Sequence, residues 1–285
     1  MLSCCSFMKK KYFLFFSFFY LLLFVSLNCL SSVWAKNEKI LDFNQSKKEL
    51  KKGLIWPFEG ERAKTFYCEC QYNLANKKIL YSRDNKNKND SCSYEENSRK
   101  NADKKRAERL EWEHLVPASL LGKSSLLKGL KGGRKKLQKL SPLFNLMEAD
   151  LYNLFPAIGE INKKRSNYDF SETPSTQEYD FQGTESLCKG RLVLYSPLPS
   201  KKNQLSPLVV PDASLRGEIA RAYLYAHKIY EIPLTQEQAL MFERWRKEFP
   251  PDQESCQRAK KIQEIQGNSH PFYLEDCEKI LPISK

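Results

Sequence analysis

Nine cysteines divide between an N-terminal apolar segment and the rest of a 285-residue chain, and that division constrains the fold more than any other feature. Lys9, Lys10 and Lys11 precede an almost unbroken Phe- and Leu-rich run from Tyr12 to Leu30, and Val33-Trp34-Ala35 offers a small-residue pattern for cleavage after Ala35. This order describes a secretory signal peptide over residues 1–35. The run approaches membrane-spanning length, but no basic stop-transfer cluster follows at once, which disfavours an uncleaved anchor. Asn28, standing where a small residue is needed before Cys29, disfavours a lipoprotein site. Cys4, Cys5 and Cys29 leave with the signal. Cys68, Cys70, Cys92, Cys188, Cys256 and Cys277 remain, an even set in an exported chain. Three disulfides in an oxidising compartment, periplasmic or extracellular, are therefore expected. Several connectivities are open, and Cys70 with Cys92 is the expected pair. A zinc site at Cys68-x-Cys70 competes, but one intervening residue is too few for the common ligand spacing.

Three of the 47 basic residues and none of the 34 acidic ones lie in the leader, so the remainder carries a formal charge of +10. Such an excess attracts polyanions by counterion release, although charge alone names no partner. With 41% hydrophobic and 12% aromatic residues the chain can bury a core and is no disordered tail. Residues 36–60 read as a loosely held, lysine-rich lead-in, and 61–285 as a single domain.

Short strands are expected at Lys78–Tyr81, Leu110–Val116 and Arg191–Tyr195, the second ended by Pro117. Residues 84–105 are polar and read as an exposed loop grading into a basic helix start. Lys123 to Lys139, lysine-rich around Gly129, Gly132 and Gly133, reads as a mobile basic loop. Ser141-Pro142 predicts a helix start, and Leu143, Leu146, Met147, Leu151 and Leu154 extend its apolar stripe until Pro156 stops it. Two further helices are expected to close the chain. The first carries the stripe Leu215, Ile219, Ala222, Tyr223, Ala226, Ile229 and Tyr230. The second starts at a Thr235–Gln238 capping box and buries Phe242, Trp245 and Phe249. Strands and helices mix without a βαβ rhythm, which predicts an α+β fold.

Histidine is scarce, and this narrows the search for chemistry. His227 lies between core-facing helix positions and His270 in a Gly-Asn-Ser-His-Pro turn, so both read as structural. His114 follows Glu111-Trp112-Glu113 three residues before a proline, placing a carboxylate and a proton acceptor side by side. Adjacent strand residues point to opposite faces, so one site can use both only if the strand ends or bulges there. A second constellation runs from Glu148 through Asp150, Asn153, Glu160 and Asn162 to Arg165 and Asn167. Taken alone, its acids would be solvated helix residues and its asparagines caps or turns.

Together these segments make the chain resemble the endonuclease I family of periplasmic and secreted nucleases. The matching blocks, in one order over about residues 66–277, begin with Phe66-Tyr67-Cys68-x-Cys70, Glu111-Trp112-Glu113-His114-x-Val116-Pro117-Ala118 and Gly132-Gly133-Arg134-Lys135. They continue with Met147-Glu148-Ala149-Asp150-Leu151-x-Asn153-Leu154 and Pro156-Ala157-Ile158-Gly159-Glu160-x-Asn162, then Leu215-Arg216-Gly217-x-Ile219-Ala220-Arg221 and Ile265-Gln266-Gly267-Asn268. The resemblance implies a ββα-metal (His-Me finger) core with additional helices, stapled by disulfides. It implies Glu113 and Asn162 as ligands of a divalent metal, Mg²⁺ with Mn²⁺ or Ca²⁺ as substitutes, a hard-cation set completed by water. His114 would be the general base and Arg134 the phosphate-holding fork, with Glu148 and Asn153 orienting them. The implied activity is hydrolysis of DNA, and of RNA, to 5′-phosphate products, by a monomer with no stable protein partner.

Three departures stand out. Tyr152 occupies a position often held by histidine. Ser125 and Leu137 lie near an expected cysteine pair, so the basic loop should be less tightly held. His270 is displaced by one residue from the family pattern. No recognition-helix, zinc-finger or RNP signature is present, so phosphate-tracking contacts with little sequence preference are expected. Two other classes would also explain the charge: a catalytically dead nucleic-acid-binding protein, and a membrane-tethered structural protein. Retained Glu113, His114 and Asn162 argue against the first, and the second needs an uncleaved N-terminus.

Overall fold

A computed structural model describes Ile40, residues 42–80, Cys92, Tyr94, 105–174, 181–197, 206–278 and Ile280. The leader, and all but Lys105 and the two named residues of the basic stretch expected as a loop over 84–105, lie outside the described residues. Among the described residues the first helix, α1 (Phe43–Leu50), begins inside the segment expected to be a loose lead-in. Asp42 caps it, accepting from Asn44 and Gln45 at 2.7 and 2.9 Å. Leu50 is fully buried, and the Ser46 hydroxyl donates to the Ala149 carbonyl. A lysine-rich composition hid a helix whose burial depends on a few one-sided residues.

A hairpin of β1 (Gln71–Asn73) and β2 (Lys78–Leu80) leads to β3 (Leu110–His114), which pairs antiparallel with β4 (Leu154–Ile158). Between β3 and β4 the chain makes a long helical excursion: α2 (Ala118–Leu121), α3 (Arg134–Leu140) and α4 (Pro142–Ala149). The end of this excursion's basic stretch is thus helix rather than loop. Arg, Lys, Leu and Gln are good helix formers, Gly133 precedes them, and Leu137 buries the one apolar side. The two positions near the missing cysteine pair are held by other means. Leu137 packs under Gly122, while Ser125 binds Glu231 through its hydroxyl and its N–H (3.3 Å).

Ser141 caps α4 as expected, accepting from Phe144 at 3.0 Å, but α4 stops at Ala149 rather than running to Pro156. Asp150 turns extended because its buried carboxylate is committed elsewhere. Oδ1 accepts from the Tyr152 N–H (2.9 Å) and Gln266 (2.9 Å), and Oδ2 from the hydroxyls of Tyr225 (2.8 Å) and Tyr230. Leu151 and Leu154 remain buried, one in a 3-10 turn and one in β4, so the apolar pattern persists where the helix does not. Pro156 lies within β4 opposite Trp112. In a two-stranded sheet both strands are edges, where proline is tolerated.

After α5 (Gly159–Arg165), four strands form a sheet in the order β5-β8-β7-β6: β5 (Asp169–Phe170), β6 (Phe181–Leu187), β7 (Leu192–Pro197) and β8 (Leu208–Pro211). Helices α6 (Ala213–Tyr230) and α7 (Gln236–Glu248) follow, the latter starting at the expected Thr235–Gln238 capping box. Gly217 permits their close approach, since a Cβ there would lie 2.2 Å from the Phe249 carbonyl oxygen. The chain does not close with this pair: α8 (Gln253–Gln266) and α9 (Pro271–Cys277) come after Pro250-Pro251. Three disulfides staple the structure. Cys70–Cys92 is the expected pair, Cys68–Cys188 ties the segment before β1 to the end of β6, and Cys256–Cys277 joins α8 to α9. With Cys68 and Cys70 oxidised, the zinc reading falls. The result is an α+β fold with small sheets around one apolar core.

Candidate active site

β3 ends at His114; Glu113 is buried, His114 half-buried, and both line a cleft of about 1220 Å³. Glu111, Arg134, Asn162 and Asn167 line the same cleft, and Lys47, Lys77, Arg106, Arg109, Lys123 and Lys131 supply cationic walls. Residues remote in sequence thus meet where β3 stops, α3 starts and α5 passes.

Glu113 is 2% exposed. Its Oε1 accepts from the Tyr67 hydroxyl at 2.9 Å and lies 3.2 Å from Arg165 Nη1. Burial nevertheless lifts its pKa to about 7, outweighing the downward pull of the Arg165 charge and the tyrosine hydrogen bond. Arg165 is itself buried and ties down the end of β3, donating to the carbonyls of His114 (2.9 Å) and Leu115 (2.5 Å), while its guanidinium stacks on Phe170.

The imidazole of His114 is held at Nε2, 2.9 Å from the Glu148 carbonyl oxygen. A carbonyl only accepts, so Nε2 carries the proton and Nδ1 bears the free lone pair. Burial lowers the His114 pKa to about 4, with the charges of Arg134 and Arg165 acting in the same sense against the Glu148 carbonyl. The ring is neutral at physiological pH. Just beyond it, Asn153 clasps both backbone groups of Val116, accepting from its N–H at 2.7 Å and donating to its carbonyl at 2.9 Å.

Glu148 serves two partners besides His114. Its carboxylate binds Arg134 Nε and accepts from Gln138 at 2.7 Å. Arg134 stays 45% exposed in this pair and lines the cleft. Asn162 donates through Nδ2 to Glu111 at 3.1 Å, and Glu111 is gripped in turn by Arg106 (2.6 Å) and Arg109. Gly159 makes room for this cluster, because a Cβ there would come within 2.8 Å of the Glu111 carboxylate and the Arg106 carbonyl.

The Endonuclease I family model matches residues 43–277, most of the chain. The chain belongs to the endonuclease I family. Similar relatives include an extracellular deoxyribonuclease of Aeromonas hydrophila, 41% identical over 214 residues covering 75% of this chain and 83% of the relative. A periplasmic deoxyribonuclease of the same organism is 36% identical over 234 residues (82% and 87%). Endonuclease-1 of Buchnera aphidicola subsp. Baizongia pistaciae is 34% identical over 268 residues (92% and 96%). As an endonuclease I family member with three disulfides, the protein is periplasmic or secreted.

Among endonuclease I residues expected at the site, Glu113, His114, Arg134 and Asn162 line one cleft, with Glu148 and Asn153 directly behind it. Tyr67 and Arg165 complete the setting of Glu113, and the sequence motifs give neither of them that part. Arg165 stands four residues after buried Ile161 on α5, and a charge at a core-facing helical position is the signal that could have exposed it. His227 and His270 lie elsewhere. His227 bonds the Ile232 carbonyl at 2.8 Å, and buried His270 caps α9 and stacks on Tyr225. Tyr152, in the histidine position, donates to the Ala259 and Asn268 carbonyls at 3.2 and 3.1 Å. Among the described residues no three His, Cys, Asp or Glu side chains gather as a metal cluster.

Proposed function

We propose that this protein is a metal-dependent endonuclease that hydrolyses phosphodiester bonds of DNA, and of RNA, with little sequence preference. The observation that carries this reading is the meeting of Glu113, His114, Arg134 and Asn162 on one cleft with cationic walls. The relatives' names as deoxyribonucleases support the same substrate class. On this reading β3, β4 and α5 are the ββα-metal core, and a single nuclease domain extends back to α1.

The residues present fit a hard divalent cation. Both contacts to Glu113 fall on Oε1 and Asn162 donates through Nδ2, so a carboxylate Oε2 and an amide Oδ1 remain as oxygen donors on one cleft wall. Two protein oxygens supplemented by water suit Mg²⁺, with Mn²⁺ or Ca²⁺ as substitutes. Burial lifts the Glu113 pKa despite Arg165, so a bound cation would favour its ionised form. When bound, the cation would offset negative charge building on the phosphate and the departing 3′-oxygen.

The chain's own groups do the rest. Nδ1 of His114 takes a proton from the attacking water, and the carbonyl of Glu148 steadies the imidazolium through Nε2–H. Arg134 holds a phosphate oxygen through its planar fork. Water attack at phosphorus with loss of the 3′-oxygen leaves a 5′-phosphate. Cationic walls grip the backbone without reading bases. The oxidised mature protein is expected to nick and then linearise supercoiled plasmid in Mg²⁺, to degrade RNA, and to do neither in EDTA. Metal-independent retention of plasmid without nicking would overturn the proposal.

A further inference from the structure

One aromatic ring in the cleft belongs to none of the groups just described. Phe43 opens α1, lines the cleft and is only half-buried, whereas Leu50 at the other end of α1 is sunk in the core. Its ring centroid lies 4.8 Å from that of His114, tilted by 52°. The Arg134 guanidinium sits 5.5 Å from the same ring and Lys47 Nζ 4.7 Å. A single residue therefore touches the base, the phosphate fork and a wall cation.

The Glu148 carbonyl restrains His114 at one point, Nε2. One hydrogen bond leaves an imidazole able to rock about its Cβ–Cγ bond, and a flipped ring would present carbon or N–H where the bare nitrogen is needed. An aromatic face packed against the ring removes that freedom, because a tilted ring pair has a preferred geometry that an aliphatic side chain does not impose. Cation–π contact with Arg134 and Lys47 holds the Phe43 ring in turn. Both ends of this support are fixed, since Asp42 caps α1 and Ser46 fastens it to the end of α4, one residue from Glu148.

We propose that Phe43 is a positioning residue that locks the His114 imidazole with Nδ1 toward the cleft, which makes α1 part of the active site. The inference rests on the nuclease reading given above for its kinetic consequence but not for its spectroscopic one. Full-length mature, oxidised protein with Phe43→Ala, Phe43→Leu and Phe43→Tyr would be assayed by plasmid nicking, thermal unfolding and side-chain ¹⁵N NMR of His114. Phe43→Ala is expected to lower kcat about tenfold or more with KM within about twofold, and to convert one Nε2–H tautomer into a mixture. Phe43→Tyr should restore both readings, and Phe43→Leu, which keeps apolar volume and fold, should restore neither fully. Equal kcat and an unchanged tautomer in folded Phe43→Ala or Phe43→Leu would overturn the proposal, as would loss only in proportion to the unfolded fraction. A wild-type protein that fails to nick would instead overturn the nuclease reading, while the NMR comparison would still decide the role of Phe43.

Discussion

The cleft sets a buried glutamate, and the C-terminal helical layer a half-buried one, against arginine and tyrosine, with opposite results. Glu218 on α6 meets Arg258 at 2.6 Å, Arg221 at 3.0 Å and the Tyr273 hydroxyl, and its pKa falls to about 2, two guanidinium charges outweighing burial. Glu113 has one arginine at 3.2 Å, shared with two backbone carbonyls, and its pKa rises to about 7 because burial prevails. The same residue types give a closed structural knot in one place and an uncompensated carboxylate in the other. Deeper burial against a single arginine, rather than two, distinguishes the glutamate proposed as a metal ligand.

The comparison can be broken by activity first. Glu113→Gln and His114→Ala are each expected to lower plasmid nicking by roughly a thousandfold, with DNA retention within a few-fold, whereas Glu218→Gln should nick normally wherever it is folded. Equal loss of binding and turnover in folded His114→Ala would count against its role as base.

Stability should show the reverse ranking. Removing one partner of a buried ion pair strands the others, so Glu218→Gln is expected to cost about 3 kcal/mol in urea unfolding. Glu113→Gln in EDTA should cost under about 1 kcal/mol, since Arg165 retains its carbonyl partners. A larger loss for Glu113→Gln than for Glu218→Gln would erase the distinction.

The two sites should also tilt stability with pH in opposite senses. Glu218 titrates below its ordinary 4.5 when folded, so its contribution is complete above 4.5 and disappears as pH falls toward 2. Glu113 titrates above 4.5, so the metal-free protein keeps its contribution below 4.5 and loses it as pH rises through 7. Each limb should amount to roughly 1–3 kcal/mol, and each should flatten in the corresponding Gln variant. Mg²⁺ should suppress the neutral limb alone. An acid limb that survives in Glu218→Gln, or a neutral limb that survives in Glu113→Gln, would show that other groups cause it.

The smallest effect concerns the fork beside the cleft. Arg134→Lys keeps the charge but loses the planar pair of donors, and about a tenfold drop in nicking is expected. An unchanged rate would assign Arg134 to charge alone.

Much of this contrast is legible in the sequence, but unevenly. Scarcity of histidine singles out His114, and the resemblance to endonuclease I blocks points to Glu113, Arg134 and Asn162, since sequence blocks are read without knowledge of packing. The Thr235–Gln238 box and the stripe of α6 are equally plain, being local. The burial of Arg165 and Arg221 is not, since composition rules send charge to the surface, and only tertiary partners reverse that. Pro156 reads as a helix stop, yet in an edge strand it meets no objection. The helix over Arg134–Leu140 is hidden because a single buried leucine does not make a visible period. α1 escapes notice for a related reason: Phe43 and Leu50 sit among lysines and serve different neighbours.

The long excursion between β3 and β4 has a further consequence. The paired strands set His114 opposite Leu154, while the chain that joins them carries Lys123, Lys131 and Arg134 to the cleft and the Glu148 carbonyl to the His114 ring. On the proposed reading, that one joining stretch serves both grip and cleavage, its lysines Lys123 and Lys131 preceding Arg134 and Glu148. Insertions or charge changes in the glycine-flanked part before Arg134 are then expected to retune salt tolerance, while His114, which would activate the attacking water, keeps its pairing with β4 and its bond to Glu148.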